Sequence, residues 1–290
     1  MSNEYLVDYV KRFGEPADSH GACSGLPELT VYNQFDSGMC TGFAAAAAAE
    51  ILWGRRFSAG WFIGQSKTEH QKGNGRYLIK VLDAMCSIGA VPLNEFGVLE
   101  ELPDVFAAVK DNPTLLNIAG GYKADGYCNL LYASREKRDR CIKDAISRYN
   151  NPDTKVAVLA TSNSHFGENH CICLVDWNDE TDCYIYQNSQ GKEFGKNGRG
   201  EIPKNKIDAV YAVFAKVKRL PFKDVDPAGW AYDDLKIAYD AGIIRGKTET
   251  EFAPGDFITR EEVGAIIGRM LKKQTEKEER DILLKHQGEV

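Results

Sequence analysis

Cys40 closes the run Gln34-Phe35-Asp36-Ser37-Gly38-Met39-Cys40 and leads into Thr41-Gly42-Phe43 and six alanines, Ala44 to Ala49. Alanine has the highest helix propensity of any residue, so the spacing predicts a helix over 40–53, ending at Trp53-Gly54. Its N-terminus would carry the thiol, where unsatisfied N–H groups and the macrodipole favour the thiolate. A lone cysteine in that position is more often a buried packing residue, so the reading depends on what else the chain supplies. His170 follows a Gly-Glu-Asn turn and precedes the apolar run Cys171 to Trp177, which places it at the first residue of a buried strand. His165, in a Ser/Asn/Gly-rich loop, is the competing base. Asn188 sits where a strand gives way to the turn Ser189-Gln190-Gly191; it is either a turn former or the acceptor that holds a histidine tautomer. With Cys40 as nucleophile and His170 as base, Asn188 would orient the base. Gln34 and the Cys40 backbone N–H would donate to an oxyanion. That set performs acyl transfer through a thioester.

The elements that must hold these residues fall into two kinds. Leu78, Val81, Leu82, Met85 and Ile88 recur at helical spacing until Gly89, and 138–146 reads as another helix. Later come short β-rich runs at 156–160, 171–177, 184–186 and 209–217. Helices first and strands afterwards imply an α+β domain with two lobes and a cleft between them. Lys216 to Pro221 breaks the pattern, and a second unit starts near Phe222. After Leu271 the mixed-charge tail reads as a solvated helix extension or a frayed end. The expected division is 1–218, 219–271 and 272–290.

With 290 residues, the chain can hold one large domain and a small one. A composition 43% hydrophobic and 27% charged is globular, and a net charge of −6 without a basic stripe gives no reason to expect nucleic acid. No apolar run is long enough to span a membrane. The first residues lack a charged region followed by an apolar one, so no secretory signal is expected and synthesis would be cytoplasmic. Among the eight cysteines there is no C-x-x-C pair, so neither a metal site nor any other cofactor is expected, and most are read as reduced packing thiols.

Gln34-x5-Cys40, Asn169-His170 and Asn188-Ser189-x-Gly191, in that order, resemble the papain-like cysteine peptidases, with coverage of roughly 25–217. Gly73-Asn74-Gly75 and the helix to Gly89 resemble that family's left lobe, and the strand-rich half its right lobe. The resemblance implies a two-lobed fold with a helical left lobe and a β-barrel-like right lobe. It implies a protein or peptide substrate cut by Cys40, His170, Asn188 and Gln34. Asn74, Gly75, Arg76 and Asn169 would then line the substrate cleft. By that chemistry Cys40 and His170 would rest as a thiolate–imidazolium pair. The chain departs from the family at Thr41 and Gln190, where tryptophans are usual, and at Arg76, where a glycine is. Gln190 would leave the Asn–His bond wetter, and Arg76 would narrow or charge the cleft. The family's zymogens carry a long inhibitory prodomain; with 39 residues before Cys40, the chain is expected either to lack that control or to have been processed already.

Residues 222–270 predict two helices around a Gly-bounded loop, with Thr259 as N-cap and Glu262 completing a capping box. They resemble the S-layer homology module, which implies binding of cell-wall polysaccharide, with Arg260 and Trp230 as contacts to an anionic sugar. One such unit is a marginal core, so it is expected to dock on the first domain or to form a homo-oligomer. Destinations consistent with a wall-binding unit are the cell envelope, secretion, or a phage particle. Two other functions fit the sequence: a thiol acyltransferase or peptidoglycan amidase, and a papain-fold binding platform with weak or no catalysis.

Overall fold

The computed structural model describes residues 4–16, 27–66, 75–97, 111–217, 219–226 and 229–287. They belong to two compact units, Met1–Val217 and Lys218–Val290.

In the first unit, α1 is Tyr9–Phe13 and α2 is Cys40–Trp53. Helix α2 has no polar face, so nothing orients one side to water and it is buried almost all round, Ala44 to Ala49 included. The chain leaves it through Gly54 in the left-handed region, at φ 69°. Helix α3, Ala59–Gln65, crosses α2 closely at Gly42. A Cβ at Gly42 would lie 2.6 Å from the Ala59 carbonyl oxygen, so only glycine permits this approach. Helix α4, Leu78–Ser87, buries Leu78, Val81, Leu82 and Met85, as their spacing requires. Two more helices follow, α5 at Pro113–Gly120 and α6 at Arg135–Ser147, with Asn112 and Ser134 as N-caps.

The strands are β1 Gly126–Asn129, β2 Thr154–Ser162, β3 His170–Asn178, β4 Cys183–Gln187, β5 Arg199–Pro203 and β6 Ala209–Lys216. They pair antiparallel in the order β1-β6-β2-β3-β4-β5. The sheet does not close, in contrast to the barrel-like lobe that the resemblance implied. The outer edge of β1 is taken by the N-terminal segment: Tyr127 N–H donates to the Tyr5 carbonyl and Val7 N–H to the Tyr127 carbonyl, both at 3.0 Å. Strand β3 is buried on both faces. Ile172 and Leu174 join Cys141, Ile142 and Ile146 of α6 in one core, while α2 also packs on β3. This explains why β3 reads as a continuous apolar run instead of an alternating one.

A charge cluster with buried lysines and partly exposed aspartates ties α6 to the β3–β4 hairpin. Lys143 and Lys204 both reach Asp179 at 2.7 Å, and Asp139 at 3.0 and 3.2 Å.

The second unit has α7, Tyr232–Asp240, and α8, Arg260–Gln287. Its core is small: Leu220, Phe222 and Val225, with partly buried Tyr232, Leu235, Tyr239 and Phe252 around them. The capping box forms at the start of α8. Glu262 N–H donates to Thr259 Oγ1 at 3.1 Å, and Thr259 N–H donates to Glu262 Oε2 at 2.7 Å. Helix α8 runs without a break through 271–272, where the charged tail begins. No helix of the described residues is long and apolar enough to cross a membrane.

Candidate active site

Cys40 is the first residue of α2. Its N-cap, Met39, makes no side-chain cap; the Gly42 and Phe43 N–H groups donate to the Met39 carbonyl at 2.9 and 3.1 Å, which leaves the amides of the first helical residues for the thiol. The backbone N–H groups of Cys171 and Thr41 point at the Cys40 thiol. Cys171 directly follows His170, so the start of β3 lies beside the thiol.

His170 opens β3 opposite Ser162 of β2, and it is 5% exposed. Its Nε2 lies 2.8 Å from Asn188 Oδ1. The hydrogen bonds of Asn188 determine the tautomer. Asn188 Oδ1 accepts the Ser189 N–H at 2.9 Å, and Asn188 Nδ2 donates to Gln190 Oε1 at 3.1 Å. The atom facing the ring is therefore the oxygen, which can only accept, so Nε2 carries the proton. In the neutral imidazole Nδ1 is then bare and able to take a proton. Phe166 holds the ring from its side, edge-on at 4.7 Å between centroids.

Gln34 reaches the same place from a distant part of the chain. Its N–H donates to the Ser189 carbonyl at 2.7 Å, and Gly191 N–H donates to the Tyr32 carbonyl at 2.8 Å, so 32–34 pairs with 189–191. The Ser189 hydroxyl donates to Gln34 Oε1 at 2.5 Å. That bond occupies the oxygen end of the amide and leaves the Nε2 end as a donor. One hydrogen-bonded chain thus runs from Gln34 through Ser189 and Asn188 to His170.

Three expectations from the sequence need correction. First, Gln190 does not leave the Asn188–His170 bond wet. Asn188 is 3% exposed, and the Gln190 side chain itself accepts from its amide. Second, Arg76 is 7% exposed; its Nε donates to the Ile63 carbonyl in the last turn of α3 at 2.9 Å, and its Nη1 to the Gly75 carbonyl at 2.8 Å. Its guanidinium serves the left lobe, where burial lowers its pKa. Third, Cys40 is not a depressed thiol. Burial pushes it above its ordinary value; the Cys171 and Thr41 N–H groups pull it down, and the Glu168 charge pushes it up. Desolvation outweighs these amides because a half-buried thiolate gives up hydration that they return only in part.

Gly75 and Asn169 are exposed, and Asn74 lies outside the described residues. Trp230 and Arg260 are exposed in the second unit, with no hydrogen bond or ring contact joining them among the described residues. Ser189 and Gln190 were singled out in the sequence as part of the turn after Asn188, but not their bonds, the Ser189 hydroxyl to Gln34 and the Gln190 side chain to the Asn188 amide. Among the described residues the buried Thr41 hydroxyl has no hydrogen-bond partner. Cys40 is half-buried, while the other described cysteines are free and buried. Among the described residues no cluster of three metal-ligating side chains occurs.

Solved structures with a similar course of the chain include xylellain, a cysteine protease from Xylella fastidiosa, at 18% identity. That match has a TM-score of 0.51 and covers 66% of this chain and 84% of xylellain. Digestive procathepsin L 3 of the Tenebrio molitor larval midgut matches at 13% identity and a TM-score of 0.51, covering 74% of each chain. Likeness at such identities establishes the fold. Separately, 55 residues are 49% identical to an endoglucanase of Bacillus sp. (strain KSM-635), amounting to 19% of this chain and 6% of that protein. A share that small carries nothing of the endoglucanase's activity. Residues 221–263 match the S-layer homology domain. The chain therefore joins a domain with the fold of the papain-like cysteine proteases to a C-terminal S-layer homology domain.

Proposed function

We propose that the first unit is a cysteine peptidase that hydrolyses peptide bonds through a thioester. The observation that carries this reading is the buried His170–Asn188 bond at 2.8 Å, which fixes a bare Nδ1 on the residue preceding the amide that touches Cys40. Cys40 Sγ attacks the substrate carbonyl carbon while its proton passes to His170 Nδ1. Gln34 Nε2–H and the Cys40 N–H receive the oxyanion. His170 then protonates the leaving amine, and water, deprotonated by His170, hydrolyses the thioester. Because burial raises the thiol, proton transfer accompanies attack and does not precede it. Gly75 and Asn169 are exposed and suited to contact a peptide, and Asn74 is proposed with them.

An epoxysuccinyl inhibitor tests the reading. Cys40 should be alkylated, as located by mass spectrometry, and Cys40→Ala and His170→Ala should abolish both labelling and cleavage of a mixed peptide library. A folded sample that is neither labelled nor active supports the second reading, a papain-fold binding platform, which the raised thiol favours.

The S-layer homology domain supports a role at the cell surface. We place cell-wall polysaccharide at Arg260 and the 95% exposed Trp230. Purified wall polysaccharide should retain the protein and lose it on Arg260→Ala. Val263, Ile267, Met270 and Leu271 form an exposed stripe at helical spacing on α8, which supports association between copies. Light scattering that finds only monomer refutes that part.

A further inference from the structure

We propose that Arg199 is a positioning residue for the His170–Asn188 pair, acting through the side-chain amide of Gln187. Its part in catalysis rests on reading Cys40 as nucleophile and His170 as base. Arg199 opens β5 and pairs with Gln187, the last residue of β4. Its Nε donates to Gln187 Oε1 at 3.3 Å, and its Nη2 to the Pro27 carbonyl at 2.6 Å. Gln187 is 4% exposed. Its Nε2 donates to the Gly198 carbonyl at 3.2 Å and to the Asn188 carbonyl at 3.4 Å. The Asn188 N–H donates to the same Gly198 carbonyl at 2.9 Å. Asn188 is thus held through the peptide groups on both its sides while its side chain meets His170.

The guanidinium sets the polarity of this arrangement. It can only donate, so the Gln187 atom that faces it is the oxygen, and the Nε2 end is turned on the two carbonyls. Without that donor the buried amide oxygen is left unsatisfied. If the amide turns over instead, it sets its oxygen against two carbonyl oxygens. In both cases the main chain at Asn188 loses its hold. There is little room to absorb the change: a Cβ on Gly198, at φ 79°, would lie 2.5 Å from Val31 Cγ1 and 3.0 Å from Gln187 Nε2. The bond to Pro27 also fastens the start of the segment 27–34 that ends in Gln34. One cation therefore holds both the asparagine that orients the base and the strand that carries the oxyanion donor.

The test uses the full chain with isotope-labelled histidine. It reads the ring N–H of His170 by NMR beside steady-state cleavage of a fluorogenic peptide. In the wild type the buried Nε2–H, bonded to Asn188, should give a slowly exchanging resonance, assigned by its loss in His170→Ala. Arg199→Met should broaden or remove that resonance. It should also lower kcat about 10- to 100-fold with KM within about twofold, the pattern of a misplaced reacting group. Arg199→Lys, still a pure donor, should keep the resonance and bring kcat back to within about threefold of wild type. Gln187→Glu keeps the size of the side chain and its bond to Arg199, but it presents an oxygen to both carbonyls. It should therefore behave like Arg199→Met, and it carries the test if Arg199→Met does not fold. An unchanged resonance in the two disrupting variants, or a loss of kcat that Arg199→Lys does not recover, overturns the proposal. A wild-type protein that cleaves no peptide overturns the peptidase reading by itself, and the resonance then decides alone whether Arg199 positions His170.

Discussion

Ser189→Ala isolates the oxyanion donor from the rest of the site. The Ser189 hydroxyl donates to Gln34 Oε1 at 2.5 Å, while its backbone N–H, which the substitution leaves in place, donates to Asn188 Oδ1 at 2.9 Å. The base and its orienting asparagine should therefore be undisturbed. Gln34 is 9% exposed, so its oxygen loses a donor that water does not readily replace. An unsatisfied buried acceptor costs about 1–3 kcal/mol. If the amide recovers by turning, the cost moves to the transition state, because Nε2 no longer faces the oxyanion. That range corresponds to a fall in kcat of about 5- to 150-fold, with KM little changed. The ceiling is the about 100- to 1,000-fold loss typical when an oxyanion donor is removed outright. The assay is steady-state cleavage of a fluorogenic peptide, normalised to the concentration of epoxysuccinyl-titrated sites, beside the rate of alkylation by iodoacetamide. Alkylation forms no oxyanion, so its rate should be unchanged. If kcat of Ser189→Ala stays within twofold of wild type while Gln34→Ala loses 100-fold, Ser189 does not position Gln34. Equal falls in kcat and alkylation would instead mean that the whole site has shifted.

The remaining predictions concern charge and stability. Burial holds the Cys40 pKa above the ordinary thiol value, so the thiolate fraction grows with pH throughout the neutral range. The iodoacetamide rate should then rise about tenfold per pH unit between pH 6 and 8; a flat rate down to pH 5 would show a preformed thiolate–imidazolium pair. Asn188→Ala removes the acceptor for the imidazolium formed during attack. A bond to a charged group is worth about 1.5–3 kcal/mol, so kcat/KM should fall about 10- to 150-fold, and a loss under threefold would refute the orienting role. For Asp179, burial acts to raise the pKa, but hydrogen bonds and charges from Lys143 and Lys204 outweigh it and hold it at about 2. A folded value below the unfolded one contributes stability above about pH 4 that is lost as pH falls towards about 2. The stability difference between wild type and Asp179→Asn, from urea unfolding, should shrink across that window, and a constant difference would contradict it. Thr259→Ala breaks the capping box and should destabilise the second unit by about 0.5–2 kcal/mol, read by hydrogen exchange of α8 amides; unchanged protection would refute the cap.

Much of the fold was legible locally. The 40–53 helix was evident because six alanines and a terminal glycine leave the backbone little alternative, and the Leu78 to Met85 periodicity marks a helix with one buried face. Strand β3 was visible as an apolar run, and its start at His170 followed from the preceding turn. Helix α3 and strands β1 and β5 were not anticipated. Strand β1 forms only against β6, some eighty residues on, and α3 is set by its close approach to Gly42, while β5 is too short and mixed in pattern to stand out until it pairs with β4. The open sheet was also invisible, because what occupies the outer edge of β1 is a contact between residues 5–7 and Tyr127.

For the site, the sequence by itself determined which groups are available: a thiol at a helix start, an imidazole at a strand start, and an asparagine and a glutamine whose amides can orient and donate. These follow from residue type and short-range pattern. Tertiary structure alone decided how the groups act. It set the histidine tautomer, because the Ser189 amide marks which end of Asn188 is oxygen. It turned Arg76 into the left lobe, and it raised the Cys40 thiol although the helix N-terminus favours the anion. Tautomer, side-chain direction and pKa depend on hydrogen-bond partners and desolvation, and these arise only once the chain has folded, whether the partner is 13 or 18 positions away, as for Arg76 and His170, or 155, as for Gln34 and Ser189.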